Sequence, residues 1–428
     1  KAHVGEKLRS SVRRDFTEAL PGPLAIGHVR YSTHGEKIPV IRDVQPFFGE
    51  FSLGGAALAH NGNLTNADVL RRELIERGSI FQSNSDSECI IHLMARSFQR
   101  TIPERMEDAL RRVEGAFSIV AMTRSELIGV RDPLGVRPLV LGRIDSEGAG
   151  GWILSSETCA LDIIGADFVR EIDPGEIVVI TEAGVESHFP FRPAKARSCI
   201  FEHVYFSRPD SIIGGRSVYE TRHRIGVEMA REAPVEADLV CPVPDSGTPA
   251  AIGYSHGSGI PLAMGIVRNQ YVGRTFIEPT EQIRNMGVRL KLNVNRALIG
   301  GKRVILVDDS VVRGTTSRKI KDMVLDAGAA EVHFRIASPP TAWPCFYGVD
   351  TPQREKLLAA CMSEEEMRAH LAVDSIRFIS LDGLYCAVGE PGGRDGVCPQ
   401  YCDACFSGDY PISPFDQIEK GFEIKATK

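Results

Sequence analysis

Four apolar residues, Val304–Val307, run straight into two adjacent aspartates, Asp308 and Asp309, and then into a stretch of Ser, Gly and Thr ending at Thr316. A short apolar run closed by turn residues is a buried strand, and the spacing of TTSRKIKDMVLDAG is that of a helix beginning near Thr315. Two carboxylates side by side at the end of a buried strand repel one another unless something cationic or rich in hydroxyls faces them. The turn between strand and helix aims backbone N–H groups and a helix N-terminus at one point. That makes an anion site, most naturally for phosphate. The carboxylates beside it suit ribose hydroxyls or a hydrated Mg2+. Together the two halves describe a phosphorylated pentose. The plainer alternative is an acidic strand end followed by a capped helix. Neither G-x-x-x-x-G-K-[ST] nor G-x-G-x-x-G occurs, so this is neither a P-loop nor a dinucleotide fingerprint.

The same order recurs through the second half of the chain. Strand-like ADLVCPVP, KRVILVDD and EVHFRIAS precede or follow helix-like TPAAIGYSHGSG and TTSRKIKDMVLDAG, which reads as a parallel α/β sheet with its ligands at the carboxyl ends of the strands. The first half differs. Short β-like runs with Gly turns (LAIGHVRYSTHG, SLGGAALAHNGNLTN, FSIVAMTRSELIGVRD, PLVLGRID, WILSSET, EIVVIT) surround two helical stretches, NADVLRRELIERG and SDSECIIHLMARSFQR. Asn66 and Ser85 stand where their N-caps are expected. This half reads as an α+β domain over residues 1–190, closed by the proline-bearing HFPFRPAKARS. Residues 191–395 then form the parallel-sheet domain, and residues 396–428 a C-terminal segment.

The chain has 428 residues, 43% of them hydrophobic and 25% charged, ordinary for a globular enzyme of two or three domains. A formal net charge of -6 supplies no basic field for nucleic acid. No apolar run is long enough to span a bilayer, and the opening KAHVGEKLRSSVRRD is too polar for a signal peptide. Ten cysteines in a chain of this length do not make a secreted disulfide scaffold, which points to a reducing cytoplasm with some thiols held for metal.

VILVDDSVVRGTT resembles the phosphoribosyl pyrophosphate (PRPP) motif of type I phosphoribosyltransferases. VPDSGTPAAIGYS and GIVRNQYVGRTFIEPTEQIRNMGVRLKLNVN narrow the resemblance to the glutamine PRPP amidotransferase family, over nearly the whole chain. The resemblance implies that Asp308 and Asp309 serve the ribose and Mg2+, with Ser246 as the third Mg2+ position. Ser310, Arg313, Gly314, Thr315 and Thr316 would form the 5′-phosphate loop. Arg268, Tyr271, Arg274 and Lys291 would belong to a lid over PRPP. A lid suits the chemistry, because bulk water would intercept an oxocarbenium-like C1.

GHVRYSTHG, LAHNGNLTN and SNSDSE resemble the glutamine pocket of N-terminal-nucleophile amidotransferases, whose fold is an αββα sandwich. Glutamine is a zwitterion. Arg30 matches the partner of its carboxylate and Asp86 that of its amine, with Thr33 and His34 nearby; Arg suits bidentate carboxylate recognition. Asn61 and Gly62 match the oxyanion hole, although Asn-Gly alone is a common turn signal. In that family the nucleophile is a cysteine at the mature N-terminus. The sequence opens at Lys1 and its first cysteine is Cys89, so the nucleophile is expected upstream of Lys1.

Cys402 and Cys405 form a C-x-x-C pair, for which zinc, iron–sulfur and a redox couple are all open on spacing alone. By resemblance, Cys199, Cys345, Cys402 and Cys405 match the ligands of a [4Fe–4S] cluster carried by one branch of the family, with Cys398 a spare nearby. Cys89, Cys159, Cys241, Cys361 and Cys386 read as small buried hydrophobes.

The expected activity is transfer of glutamine-derived ammonia to C1 of PRPP. This releases pyrophosphate and gives 5-phosphoribosylamine, the first committed step of purine synthesis. Expected partners are glutamine, PRPP, purine nucleotide inhibitors and further copies of the chain, as a dimer or tetramer. Two alternatives are a PRPP-binding regulator without catalysis, which calls for a DNA-binding module that is not visible, and a chain that uses only free ammonia. A glucosamine 6-phosphate synthase would share the first half only and fails at VDDSVVRGTT.

Overall fold

The structure, a computed structural model, describes residues 22–29, 41–145, 150–269 and 291–423. The chain divides into two compact units. The first comprises Lys1–Ser198 with Cys345–Asp350 and Tyr410–Lys428; the second comprises Cys199–Pro344 and Thr351–Asp409. Residues 396–428, expected as a separate segment, are thus shared between the two.

In the first unit, β1 (Phe47–Phe51), β2 (Gly54–Leu64), β3 (Gly115–Met122), β4 (Leu127–Arg131), β8 (Ile177–Thr181) and β9 (Gly184–His188) form an antiparallel sheet in that order. A second sheet, of order β6-β5-β7, is made by β5 (Val140–Ile144), β6 (Gly151–Ser155) and β7 (Asp167–Glu171). Side chains alternate across a strand, and the two cores follow that alternation. Phe117, Ile119, Ala121, Ile128, Val130, Ile177 and Val179 pack with Leu70, Leu74, Ile90, Leu93, Met94, Met106 and Leu110 of helices α1 (Ala67–Glu76), α2 (Ser87–Arg96) and α3 (Ile102–Leu110). The residues between them, Leu127, Val178 and Ile180, pack on Leu139, Leu141 and Ile172 instead. Helix, sheet, sheet is three of the four layers of the αββα sandwich expected for this half. Helix α4 (Thr158–Ile164) packs its Leu161 with Val140.

The expected caps are partly corrected. Asn66 does precede α1, but its side chain does not cap the helix: its amide donates to Arg112 O and accepts from Glu114 N, each at 3.0 Å. The N-cap of α2 is Asp86 rather than Ser85, because its carboxylate accepts from Ser87 N at 2.9 Å and suits the positive end of the helix better than a hydroxyl does. Residues 24–29, read as part of a β-like run, form no strand.

In the second unit, helix α5 (Val218–Glu232) leads into a sheet of order β10 (Leu239–Pro242), β13 (Arg303–Asp308), β14 (Glu331–Ile336) and β15 (Ser375–Phe378), parallel at every pairing. Helix α6 (Thr248–Ser258) follows β10, and α7 (Thr315–Asp326) follows β13. Val304 and Leu306 pack with Ile320 and Val324 of α7, Phe334 and Ile336 of β14, and Ile376 of β15. A short antiparallel ladder joins β11 (Ile266–Arg268) to β12 (Leu292–Val294). No helix among the described residues is long and apolar enough to cross a membrane.

Candidate active sites

Asp308 is the last residue of β13, the second strand of the four, and Asp309 is the first residue beyond it. Both are buried, at 7% exposure. The Asp309 N–H donates to Asp308 Oδ1 at 3.0 Å, and the Ser310 hydroxyl donates to Asp309 Oδ1 at 2.5 Å. Burial, and then the charge of Asp309, push the Asp308 carboxyl well above the usual carboxylate range. Burial also raises Asp309, against which hydrogen bonds from Ser246 and Ser310 and the Arg222 guanidinium pull. Two carboxyls held together in this state favour a cation between or beside them. Among the described residues, however, no three His, Cys, Asp or Glu side chains gather as a metal-binding group by themselves.

Ser246 reaches this place through the turn after β10. Val243 N donates to Val307 O at 2.8 Å, and Gly247 lies so close that a Cβ there would stand 2.3 Å from Val307 O. Only glycine permits that approach. On the other side, Gly314 (φ 70°) precedes α7, whose N-terminus has no side-chain cap and no acidic residue in its first turn. Arg313, Thr315 and Thr316 are exposed there. The helix end therefore presents unsatisfied N–H groups and two hydroxyls, an anion-binding arrangement. Arg268 ends β11 and forms an ion pair with Asp245, beside Ser246. Asn269 N donates to Lys291 O at 2.7 Å, so the two roots of the expected lid are tied together. Tyr271 and Arg274 lie outside the described residues.

In the first unit, Asn61 and Gly62 lie on β2, with both residues half-buried. Gly62 has φ 149°, and a Cβ there would stand 2.0 Å from Ala116 O and 2.7 Å from His60 Nε2. Asp86 accepts from Leu64 N through Oδ2 at 2.9 Å, so the carboxylate lies one residue past Asn63 on the same strand. Two neighbours here were not found from sequence. His60 is buried behind Gly62, and the loop Cys345–Asp350 lies against it: Asn63 Nδ2 donates to Phe346 O at 3.0 Å, across 283 residues of sequence. The word AHNGN contained the signal for His60; nothing local could have pointed to Phe346. Arg30, Thr33 and His34 lie outside the described residues.

Of the four cysteines expected at a cluster, Cys199 and Cys402 lie on paired two-residue strands, Ser198–Cys199 and Tyr401–Cys402, and Ile200 N donates to Cys402 O at 3.1 Å. Cys405 is on the short helix that follows, and its carbonyl accepts from both Ala342 N and Trp343 N at 3.1 Å. The chain leading to Cys345 is thereby fastened to the C-x-x-C segment. Buried Asp403, between the two cysteines, accepts from Tyr385 OH at 2.8 Å and from Arg394 Nε at 2.5 Å. Cys89, Cys159 and Cys241 are buried as expected, and burial pushes the Cys89 thiol up to about 12. Cys361 is exposed and Cys386 half-buried, against expectation: the helix Leu358–Cys361 buries Leu358 and leaves its last residue facing out.

Comparison with known proteins agrees with both halves. Residues 28–162 match the family model described as a glutamine amidotransferase domain. Amidophosphoribosyltransferase of Rhizobium etli is 53% identical over 404 residues, spanning 93% of this chain and 80% of that one. The protein of the same name from Synechococcus elongatus is 47% identical over 408 residues, spanning 95% and 81%. The solved structure of glutamine PRPP amidotransferase from B. subtilis, complexed with ADP and GMP, superimposes with a TM-score of 0.82 at 44% identity, covering 90% of this chain and 83% of that one. An N-terminal-nucleophile glutaminase sandwich followed by a parallel phosphoribosyltransferase sheet, with relatives this similar over this much of the chain, places it in the amidophosphoribosyltransferase family, the glutamine-dependent PRPP amidotransferases of purine biosynthesis.

Proposed function

We propose that the two steps of this activity, ammonia release from glutamine and its transfer to C1 of PRPP, are divided between the two units, with the residues named from sequence in the roles given there. The reading rests above all on one observation: a buried carboxylate pair ends a central parallel strand, six residues before an uncapped helix N-terminus. Asp308 and Asp309 take the ribose hydroxyls, and with Ser246 they hold Mg2+, which neutralises the departing pyrophosphate when bound. Ser310 and Arg313 to Thr316 take the 5′-phosphate at the start of α7. Arg268 and Lys291, with Tyr271 and Arg274, close over the substrate and exclude water.

In the glutaminase, the Asn61 side chain and the Gly62 N–H stabilise the oxyanion, and Asp86 takes the substrate's α-amine. Arg30 takes the α-carboxylate, with Thr33 and His34 beside it. By the family resemblance, the four cysteines Cys199, Cys345, Cys402 and Cys405 would hold a [4Fe–4S] cluster of structural function, although among the described residues their side chains do not gather as a metal-binding group by themselves. What supports this is the pairing of the Cys199 and Cys402 strands and the two hydrogen bonds that tie the approach to Cys345 onto Cys405. A purine nucleotide inhibitor is in keeping with the ADP and GMP bound to the B. subtilis protein.

The test is Asp308→Asn with Asp309→Asn, assayed for pyrophosphate release from PRPP with an ammonium salt. Loss of at least about 10²-fold is expected, since each carboxylate serves as a ligand to charge that develops in the transition state. Near-normal turnover in a folded double variant would remove the pair from the mechanism.

A further inference from the structure

The glutaminase reading leaves one buried titratable residue of β2 without a role. His60 immediately precedes Asn61, is 4% exposed, and has both ring nitrogens engaged. Nε2 lies 3.2 Å from Ala116 O. A carbonyl oxygen only accepts, so Nε2 carries a proton directed at Ala116 O. Nδ1 lies 3.0 Å from Ser87 Oγ, and the Ser87 hydroxyl also lies 3.3 Å from Asp86 Oδ1. Ser87 Oγ accepts from Gln45 Nε2 at 3.3 Å, and Gln45 Oε1 accepts the backbone N–H of His60 at 2.6 Å. The circuit is closed: ring, hydroxyl, amide and back to the main chain of the same residue. Asp86 Oδ2 stands 3.8 Å from Nδ1, too far to take the place of Ser87.

Ala116 O, which Nε2–H grips, is also the atom that a Cβ on residue 62 would strike, and His60 Nε2 is the next nearest. The imidazole, the Ala116 carbonyl and the Gly62 Cα therefore meet in one contact. On the far side of Asn61 and Gly62, Leu64 N is fixed by Asp86, whose other oxygen holds Ser87 N. Asn61 and Gly62 are thus bracketed by one hydrogen-bonded network that runs from His60 through Ser87 to Asp86. A hydrogen-bonded network of this kind, buried at His60 and Ser87, restricts the geometry of the backbone it holds.

We propose that His60 is the positioning residue of the oxyanion hole: its Nε2–H bond to Ala116 O fixes the backbone at Gly62 and the direction of Asn61. The inference rests on the reading of Asn61 and Gly62 as that hole. It makes a specific claim about which ring nitrogen matters. A glutamine side chain can place an amide N–H near the position of Nε2, whereas an asparagine side chain reaches only as far as Nδ1. Purely structural filling of the space would not distinguish the two in this way.

The test compares His60→Gln, His60→Asn, His60→Ala and Asn61→Ala in the intact enzyme, with glutamine and with an ammonium salt as nitrogen source. His60→Ala and His60→Asn should lower kcat with glutamine by about 10²-fold, the cost of a misplaced catalytic group. KM for glutamine should change little, and turnover with ammonia should be unchanged. His60→Gln should retain kcat within about tenfold, and it serves as the informative variant if the alanine form does not fold. Equal loss in His60→Gln and His60→Asn, a change confined to KM, or wild-type kcat in His60→Ala would each overturn the proposal. If Asn61→Ala also keeps its glutamine-dependent kcat, the oxyanion assignment itself fails; if Asn61→Ala loses it while His60→Ala does not, only the role of His60 fails.

Discussion

The backbone N–H of Val243 donates to the carbonyl of Val307 at 2.8 Å, and that one bond joins the turn after β10 to the strand end that carries the acidic pair. Through it, Ser246 comes within hydrogen-bonding reach of Asp309 although the two are remote in sequence.

Gly247→Ala tests this junction. The added Cβ would meet Val307 O at 2.3 Å, with backbone on both sides and nothing flexible to yield. The expected result is a stability loss of roughly 1–3 kcal/mol in chemical denaturation, together with a raised KM for PRPP. Unchanged stability and KM would mean that the turn is not held by this contact.

Asp132 gives a pH dependence. It is fully buried, accepts from the Phe117, Leu134 and Val136 N–H groups, and is pushed by burial from 3.8 up to about 6. The folded protein therefore binds this proton more tightly than the unfolded chain. Its contribution to stability is greatest below about 4 and declines as pH rises to about 6. Asp132→Asn removes that dependence. The unfolding free energy of the native protein relative to the variant should fall by an amount on the order of 3 kcal/mol between those limits. A difference that stays flat with pH, or rises, would contradict the buried-acid account.

Cys402→Ser addresses the cluster. Protein purified without oxygen should carry iron and acid-labile sulfide in equal amounts. The variant should lose both, and should lose folding stability with them, because bound metal contributes folding free energy. Stoichiometric zinc in place of iron would reassign the four thiolates to a zinc site.

How much of this was legible in sequence follows from how local each signal is. Asp308 and Asp309 could be read directly, since the strand, the carboxylates, the turn and the helix start are consecutive. Ser85 and Asp86 were half legible: a capping residue was expected one position early, because a serine and an aspartate compete for the same helix end. Asn66 was displaced from its cap by partners on the far side of α3, at Arg112 and Glu114. The hydrogen bond from Asn63 to the Phe346 carbonyl and the Ala116 carbonyl under Gly62 could not be read at all. Both depend on which strands become neighbours, and no residue type marks that choice. Cys361 shows the limit from the other side: a thiol in an apolar stretch is usually buried, but a four-residue helix has only one covered face.

The central claim is that the two chemistries occupy separate units, and one crossed assay tests it most directly. Native enzyme, Asn61→Ala, and the Asp308→Asn, Asp309→Asn double variant are each given PRPP and Mg2+ with either glutamine or an ammonium salt, and pyrophosphate is followed. Asn61→Ala should lose about 10²–10³-fold in kcat with glutamine and keep its ammonia-dependent rate, while the double variant should lose both. Equal loss of both rates in Asn61→Ala, or an ammonia-dependent rate that survives in the folded double variant, would contradict the division.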